Sequence, residues 1–186
     1  ISGCGIVGGA LACALIEGGL SVAIVDVKLP SKFQNDNSDG RVTAVALSSQ
    51  RLLENLNLWQ TIALDSTPIK EIRVADNDSL FFLHFDREDV GADAFGYMVE
   101  NNIIRRALAN RFKKFSDLKL MAPNSILETK CNSGEVRATL SDGTVVRSKL
   151  IVGAEGRNSP TRENAGITTT FWSYKQSAIV TTVFHE

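Results

Sequence analysis

The first eight residues contain Gly3-Cys4-Gly5-Ile6-Val7-Gly8, a G-x-G-x-x-G spacing that few local structures can use. A small-residue stretch follows, then the apolar run Ser21-Val22-Ala23-Ile24-Val25, which ends in Asp26 about twenty residues beyond the turn. A glycine turn, a helix, a strand and an acidic end-residue together describe a βαβ unit that holds a dinucleotide. Gly3 permits the tight turn, Gly5 lets the backbone approach a pyrophosphate, and Gly8 lets helix and strand pack closely. The helix N-terminus adds unpaired N–H groups and a positive dipole end. Asp26 is placed to accept hydrogen bonds from a ribose 2′-hydroxyl. A glycine-rich packing turn is the competing reading, and the acidic partner at this distance favours the nucleotide. Only Ile1-Ser2 precede Gly3, whereas a parallel strand needs roughly five residues. The sequence is therefore expected to be a piece of a longer chain.

Bulk properties narrow the field further. A net charge of −1 and the lack of a basic stripe give no reason to expect nucleic-acid binding. Arg105-Arg106 and Lys113-Lys114 read as solvated helix faces, apart from Arg105, which enters below. Cys4, Cys13 and Cys131 make no disulfide framework, so a reduced, cytoplasmic compartment is the simplest expectation. Cys4 and Cys13 fall in the nucleotide motif, where small residues suit close packing. No CxxC or His/Cys metal spacing occurs, and His84 and His185 read as strand-face residues. No apolar run reaches the ~18 residues of a membrane span, and the glycine-dense opening lacks the basic region of a signal peptide.

Along the chain, Ile6, Val7, Ala10, Leu11, Ala14 and Leu15 recur at helical spacing, and Gly18-Gly19 stops that helix. Residues 21–26 form a buried strand, and Val27 to Gly40 a polar loop. Ser48 or Ser49 can cap a helix that runs to Leu56 and buries Leu52, Leu53 and Leu56. Residues 69–75 and 80–85 read as antiparallel strands around Asp76-Asn77-Asp78. Tyr97-Met98-Val99 is a further short strand. A helix from Asn102 to about Lys114 follows, with Ile103, Ala107, Leu108 and Phe112 inward. Strands near 118–121, 125–130, 135–140 and 144–152 are separated by Ser133-Gly134 and Ser141-Asp142-Gly143, a β-meander. Tyr174 to Phe184 alternates as a long strand.

A second turn lies at Glu155-Gly156-Arg157-Asn158-Ser159-Pro160-Thr161-Arg162, directly after the buried run Leu150–Ala154. Taken alone, Gly156 makes a turn, Ser159 caps a short helix and Arg162 pairs with an exposed acid. Gly153 to Arg162 also resembles the "DG" motif of the FAD-dependent aromatic hydroxylases, the group A flavoprotein monooxygenases. The segment Asp39-Gly40-Arg41-Val42-Thr43-Ala44-Val45-Ala46-Leu47-Ser48 is similar to their D-x-R-x-x-A-L-S segment. Val99-Glu100-Asn101-Asn102-Ile103-Ile104-Arg105-Arg106-Ala107-Leu108 looks like their V-E-N helix start. Tyr174-Lys175-Gln176-Ser177-Ala178 is similar to a segment of the ubiquinone-biosynthesis branch. These landmarks keep the family's order and cover nearly the whole chain.

The resemblance implies an α/β fold: a Rossmann-like FAD-binding domain with a parallel sheet and β-meander, plus part of an antiparallel substrate-domain sheet. It assigns residues 1–70 and 97–168 to the FAD/NAD(P)-binding domain, and 71–96 with 169–186 to the substrate-binding sheet. Gly3, Gly5 and Gly8 would hold the FAD pyrophosphate and Asp26 the adenosine ribose. Arg41 and Arg105 would lie over the phosphates and the flavin side, where guanidinium forks suit phosphate oxygens. Glu155 and Gly156 would lie near the pyrophosphate and help accommodate NADH or NADPH, the reductant. The implied reaction is O₂-dependent hydroxylation of a phenolic, polyprenylated ring, with peripheral association with the inner membrane or a ubiquinone-biosynthesis complex. No residue stands out as a general base. Two departures matter: Glu155 replaces the family's Asp, and the later G-D-x-x-H segment that closes around the flavin is absent. The 186 residues alone are accordingly expected not to turn over. Another FAD- or NAD-linked oxidoreductase, or a nucleotide-binding fragment without turnover, is the alternative.

Overall fold

The computed structural model describes residues 1–29, 40–76, 81–181 and 183. Helix α1 spans Ile6–Glu17 and stops at Gly18, as the glycine pair requires. Its buried stripe differs from the expected one. Gly8, Gly9, Ala12 and Cys13 face inward, while Val7 is 74% exposed. A helix apolar on every side does not announce its inner face by periodicity; closeness of approach selects it. A Cβ on Gly8 would stand 2.1 Å from the Gly3 carbonyl oxygen, and one on Gly9 would stand 3.0 Å from Leu108 Cδ1.

Strand β1 (Val22–Val25) follows as expected. Helix α2 (Leu47–Asn55) begins on Ala46 with no side-chain cap, so Ser48 and Ser49 sit exposed in its first turn instead of capping it. The preceding strand β2 (Val42–Ala46) runs directly into the helix and leaves no separate cap position. Leu53 and Leu56 are buried, whereas Leu52 is half-exposed. A short helix α3 (Trp59–Ile62) and strand β3 (Ser66–Ile69) come next. Strands β4 (Glu71–Ala75) and β5 (Phe82–Asp86) form the expected antiparallel pair, whose connecting residues 77–80 lie outside the described residues. Strand β6 (Gly96–Glu100) leads into helix α4 (Asn101–Phe112). Ile104, Ala107, Leu108, Ala109 and Phe112 are buried on α4, with Ile103 at the edge of the core. Each large apolar side chain so buried contributes about 1.5–3 kcal/mol.

Strand β7 (Leu118–Met121) pairs with β1 in parallel. The meander is β8 (Ile126–Asn132), β9 (Glu135–Leu140) and β10 (Val145–Ser148), in antiparallel order. Strand β10 ends at Ser148 rather than continuing to 152, because the chain then crosses to the parallel sheet. There Ser2 bridges Gly153 on one side and Val25 on the other, both in parallel. Residues 1–3 thus form the central rung between Val152–Ala154 and β1, with β7 outside β1. Helix α5 (Pro160–Asn164) completes the regular elements. The strand expected from Tyr174 to Phe184 is not formed among the described residues, and 182 and 184 lie outside them. The described residues from 167 onward are exposed and carry no assigned regular structure, Lys175 standing at φ 53°, and a strand exists only where another backbone pairs with it.

The core lies between α1, α4 and the sheets, with Ile24, Leu58, Ile62, Val99 and Ile104 almost fully enclosed. Trp59 meets Tyr97 edge-on at 4.9 Å between centroids. A third sheet, β2-β6-β3, packs beside α4 and fixes where its N-terminus points.

Candidate functional site

The site is built at the edge of the parallel sheet, where the glycine turn links Ile1–Gly3 to α1. Gly3 has φ 99°, and a Cβ there would sit 2.5 Å from the Ala154 carbonyl oxygen. Gly8 is closed by Gly3 itself, as described above. Gly5 is different. It is the N-cap of α1 without a side-chain cap, and a Cβ on it would meet no heavy atom within 4 Å. Two glycines serve internal packing and the third faces open space, beside the helix N–H groups that lack intrahelical acceptors. This uncapped end with its positive dipole suits an anion such as a pyrophosphate.

Asp26 lies just past β1. Its Oδ2 accepts from the Cys4 N–H at 2.5 Å and its Oδ1 from the Lys28 N–H at 2.8 Å. The carboxylate therefore already grips the glycine turn, a role the sequence did not announce. Backbone bonds tie the same residue to β7 and its following loop: Asp26 N–H to Met121 O at 3.3 Å and Asn124 N–H to Asp26 O at 2.8 Å. A cleft of about 290 Å³ lies beside it, lined by Met121, Pro123 and Asn124 with Leu140 and Asp142 of the meander. Crevices at the carboxyl ends of parallel strands are where such folds bind ligands. Burial, together with the Asp26 charge, pushes the Cys4 thiol up to about 12.

Arg41 and Arg105 are brought to adjoining elements. The Arg41 carbonyl accepts from Asn101 N–H at 3.0 Å, and Thr43 Oγ1 donates to Asn101 Oδ1 at 2.5 Å. These bonds hold the start of α4 against β2. Arg105 lies one turn further along α4, three residues before the Leu108 that packs on Gly9, and its Nη1 reaches Asn102 Oδ1 at 3.5 Å. Arg41 thus stands just before β2 and Arg105 on α4, the helix that packs on α1 through Leu108 and Phe112.

In the second turn Gly156 has φ 87° with open space about it. Ser159 caps α5 by accepting from Arg162 N–H at 3.1 Å, and Arg162 lies 3.9 Å from the exposed Glu163. Glu155 turns inward. It accepts from Ser159 Oγ at 2.6 Å, from Thr161 N–H at 3.3 Å and from Thr161 Oγ1. Burial opposes its ionisation, but those hydroxyl hydrogen bonds prevail and hold the carboxyl below its usual range. Ser159 and Thr161 were not legible as partners of Glu155. Their only signal is a run of hydroxyl residues after the apolar run 150–154, which was expected to be a buried strand but is only partly covered, with Leu150 72% exposed and a single bridge at Gly153.

The fold and this turn define a nucleotide-binding α/β domain of the flavoprotein kind. The chain belongs to the FAD binding domain family, which it matches over residues 1–186. It is 44% identical to the ubiquinone hydroxylase UbiL of Rhodospirillum rubrum, over 100% of this chain and 43% of that protein. It is 31% identical to the 3-demethoxyubiquinol 3-hydroxylase of Escherichia coli, over 98% of this chain and 47% of that protein. The human ubiquinone biosynthesis monooxygenase COQ6 is 33% identical over 98% of this chain and 42% of its own length. The chain thus spans less than half the length of these relatives. Among solved structures, pqsL of Pseudomonas aeruginosa, a probable FAD-dependent monooxygenase, superposes with a TM-score of 0.72 at 22% identity, covering 91% of this chain and 45% of that one. The p-nitrophenol 4-monooxygenase PnpA of Pseudomonas putida gives 0.72 at 16% identity, covering 89% and 42%. These likenesses support the fold. Among the described residues, no helix is long and apolar enough to cross a membrane.

Proposed function

We propose that this chain supplies the FAD-binding part of a monooxygenase that hydroxylates a phenolic, polyprenylated ring in ubiquinone biosynthesis. The geometric observation that carries the nucleotide reading is Gly5, the one member of the G-x-G-x-x-G triplet whose missing side chain leaves open space. The ubiquinone hydroxylases aligned along the whole chain support the choice of reaction. FAD, when bound, supplies the electron transfer and oxygen activation. The chain's own residues bind and orient. Gly3 and Gly8 set the turn, Gly5 admits the pyrophosphate, and Asp26 faces the ribose while gripping the Cys4 N–H. Arg41 and Arg105 offer guanidinium groups toward phosphate and flavin, and Glu155 with Gly156 shape the second turn. NADH or NADPH is the reductant, O₂ the co-substrate, and the greasy substrate favours a peripheral approach to the inner membrane or to a biosynthetic complex.

Residues 1–70 with 97–168 form the nucleotide-binding domain in this reading, and 71–96 with 169–186 belong to a substrate-binding sheet. The chain alone does not turn over. The full-length protein is expected to purify with a flavin absorbance spectrum and to consume NADH or NADPH only with matching O₂ uptake. Reductant consumption without oxygen uptake overturns the hydroxylase in favour of another flavin- or NAD-linked oxidoreductase.

A further inference from the structure

Strands β2 and β6 run antiparallel in the register Val42↔Glu100 and Thr43↔Val99, which sets Arg41 opposite Asn101 just beyond the last assigned pair. The Asn101 N–H continues the ladder there, donating to the Arg41 carbonyl at 3.0 Å. Successive residues of a strand alternate between faces, so Arg41, Thr43 and Val45 share one side of β2. Val45 and Val99, the residue opposite Thr43, are buried at 4% and 1% exposure, while Thr43 is half-buried and Arg41 exposed. The arginine thus stands at the outer rim of a face that is anchored in the core.

A side-chain bond closes this corner. Thr43 Oγ1 donates to Asn101 Oδ1 at 2.5 Å, between residues 58 apart in sequence. Asn101 opens α4, whose N-cap residue Glu100 makes no side-chain cap among the described residues. The first turn of α4 is instead fastened sideways, to β2. Valine would suit the strand as well as threonine does, and the hydroxyl is what the bond uses. From here α4 runs on to Leu108 and Phe112, which pack on Gly9 of α1. The corner that carries Arg41 is in this way tied, through one helix, to the element that begins at the glycine turn.

We propose that Thr43 and Asn101 are a positioning pair, whose hydroxyl–carboxamide bond fixes the backbone of Arg41 and so the place of its guanidinium beside the bound nucleotide. The proposal rests on the FAD reading above, in which Arg41 serves phosphate and flavin. It gives neither Thr43 nor Asn101 a contact with the cofactor. Guanidinium–phosphate bonds are directional and often paired, so a base that shifts loses them even while the charge stays nearby.

The test uses the full-length protein freed of flavin, titrated calorimetrically with FAD and with adenosine, which carries neither phosphate nor flavin. Thr43→Val, which keeps the shape and removes the hydroxyl, is expected to weaken FAD about tenfold, the scale of a lost hydrogen bond to a charged group. Adenosine affinity should stay within about twofold, because distant contacts act independently. Thr43→Ser, which keeps the donor, should restore most of the FAD affinity. Thr43→Val combined with Asn101→Ala should bind FAD no more weakly than Asn101→Ala alone, since both remove one bond. The decisive arm is Arg41→Ala. Once that guanidinium is gone, adding Thr43→Val should weaken FAD by no more than about twofold. A full loss in that background, or FAD and adenosine weakening in parallel, means that the bond only stabilises the fold, and the proposal fails. Unchanged FAD affinity in Thr43→Val overturns it as well. Should Thr43→Val not fold, Asn101→Ala carries the same comparisons. Equal FAD affinity with and without the Arg41 side chain also overturns the proposal but leaves FAD binding standing. A parent protein that binds no FAD overturns the FAD reading itself.

Discussion

Around the glycine turn the chain is closed by small residues and by backbone, whereas the β4–β5 hairpin carries large apolar side chains on an open face. The register Ile72↔Phe85 and Val74↔Leu83 puts all four on one side of the hairpin, with Leu83 63% exposed. Its other side holds Glu71, Arg73 and His84, joined by Glu71 Oε2 at 2.9 and 3.1 Å. A lone two-stranded hairpin is marginal in water. The turn, by contrast, has no large side chain to bury and depends on how near one backbone comes to another. The nucleotide end is therefore self-sufficient in packing, while the hairpin's order depends on what covers it. This contrast accords with the proposed division between a nucleotide domain and a substrate sheet.

The contrast breaks most visibly at the glycines. Gly8→Ala forces a Cβ to within 2.1 Å of the Gly3 carbonyl oxygen, where only backbone movement relieves it. A loss of about 3 kcal/mol is expected, at the top of the overpacking range, measured by denaturant unfolding of the full-length protein. Gly5→Val should leave stability within about 1 kcal/mol, because its side chain enters open space. It should nevertheless abolish FAD retention, read as the flavin-to-protein absorbance ratio. Stoichiometric FAD in Gly5→Val would remove the pyrophosphate from this turn. Unchanged stability in Gly8→Ala would show the turn to be looser than drawn.

Ion pairs sharpen the same comparison at smaller scale. Arg111 of α4 meets Glu17 of α1 at 2.5 Å, with side chains only 19% and 27% exposed, and lies over the Phe115 ring. On the hairpin, Arg73 and Glu71 are 64% and 50% exposed at 2.9 Å. Arg111→Ala is expected to cost about 1–2 kcal/mol, between the exposed-pair and buried-pair ranges. Arg73→Ala should cost at most about 0.5 kcal/mol. Equal effects in thermal unfolding would mean that both pairs are equally covered in the full-length protein, and the hairpin's exposure would not survive there.

Legibility in the sequence followed the same divide. The glycine turn, α1, β1, α4 and the meander could be read because glycine spacing, helical period and turn residues are local signals. The inner face of α1 could not, since an apolar helix is sorted by the close approach of Leu108 and Phe112 to Gly9, a tertiary fact. Strand β3 went unread; it holds Pro68, and among the described residues it pairs with β6 alone, the edge position where a strand tolerates proline. At the site, Asp26 and the turns were legible as types. What each carboxylate holds was not: Asp26 grips Cys4 N–H, and Glu155 gathers the hydroxyls of Ser159 and Thr161. Hydrogen bonds between residues far apart in sequence leave no spacing to read.

The smallest effect at neutral pH concerns the thiols. Cys4 and Cys13 are buried in the nucleotide end, while Cys131 is exposed on β8 of the meander. Burial pushes the Cys4 and Cys13 thiols up to about 12 and about 11, the latter despite the opposing Arg111 charge. Since the thiolate is the nucleophile, iodoacetamide at pH 7.5 should label Cys131 alone among the three, as read by peptide mass spectrometry. Cys131→Ser should shift stability by no more than about 0.5 kcal/mol. The pH dependence has a fixed sign. In the folded state both buried thiols stay protonated above the ordinary value of 9.0, whereas unfolded thiols release their protons there. Their contribution is therefore complete below pH 9 and is lost progressively as the pH rises toward 11 and 12. Replacing Cys13 with Ala, which keeps a small apolar side chain between α1 and its neighbours, should flatten that alkaline decline. Rapid labelling of Cys4 at neutral pH would show that the glycine turn opens, and that its packing is no more self-sufficient than the hairpin's.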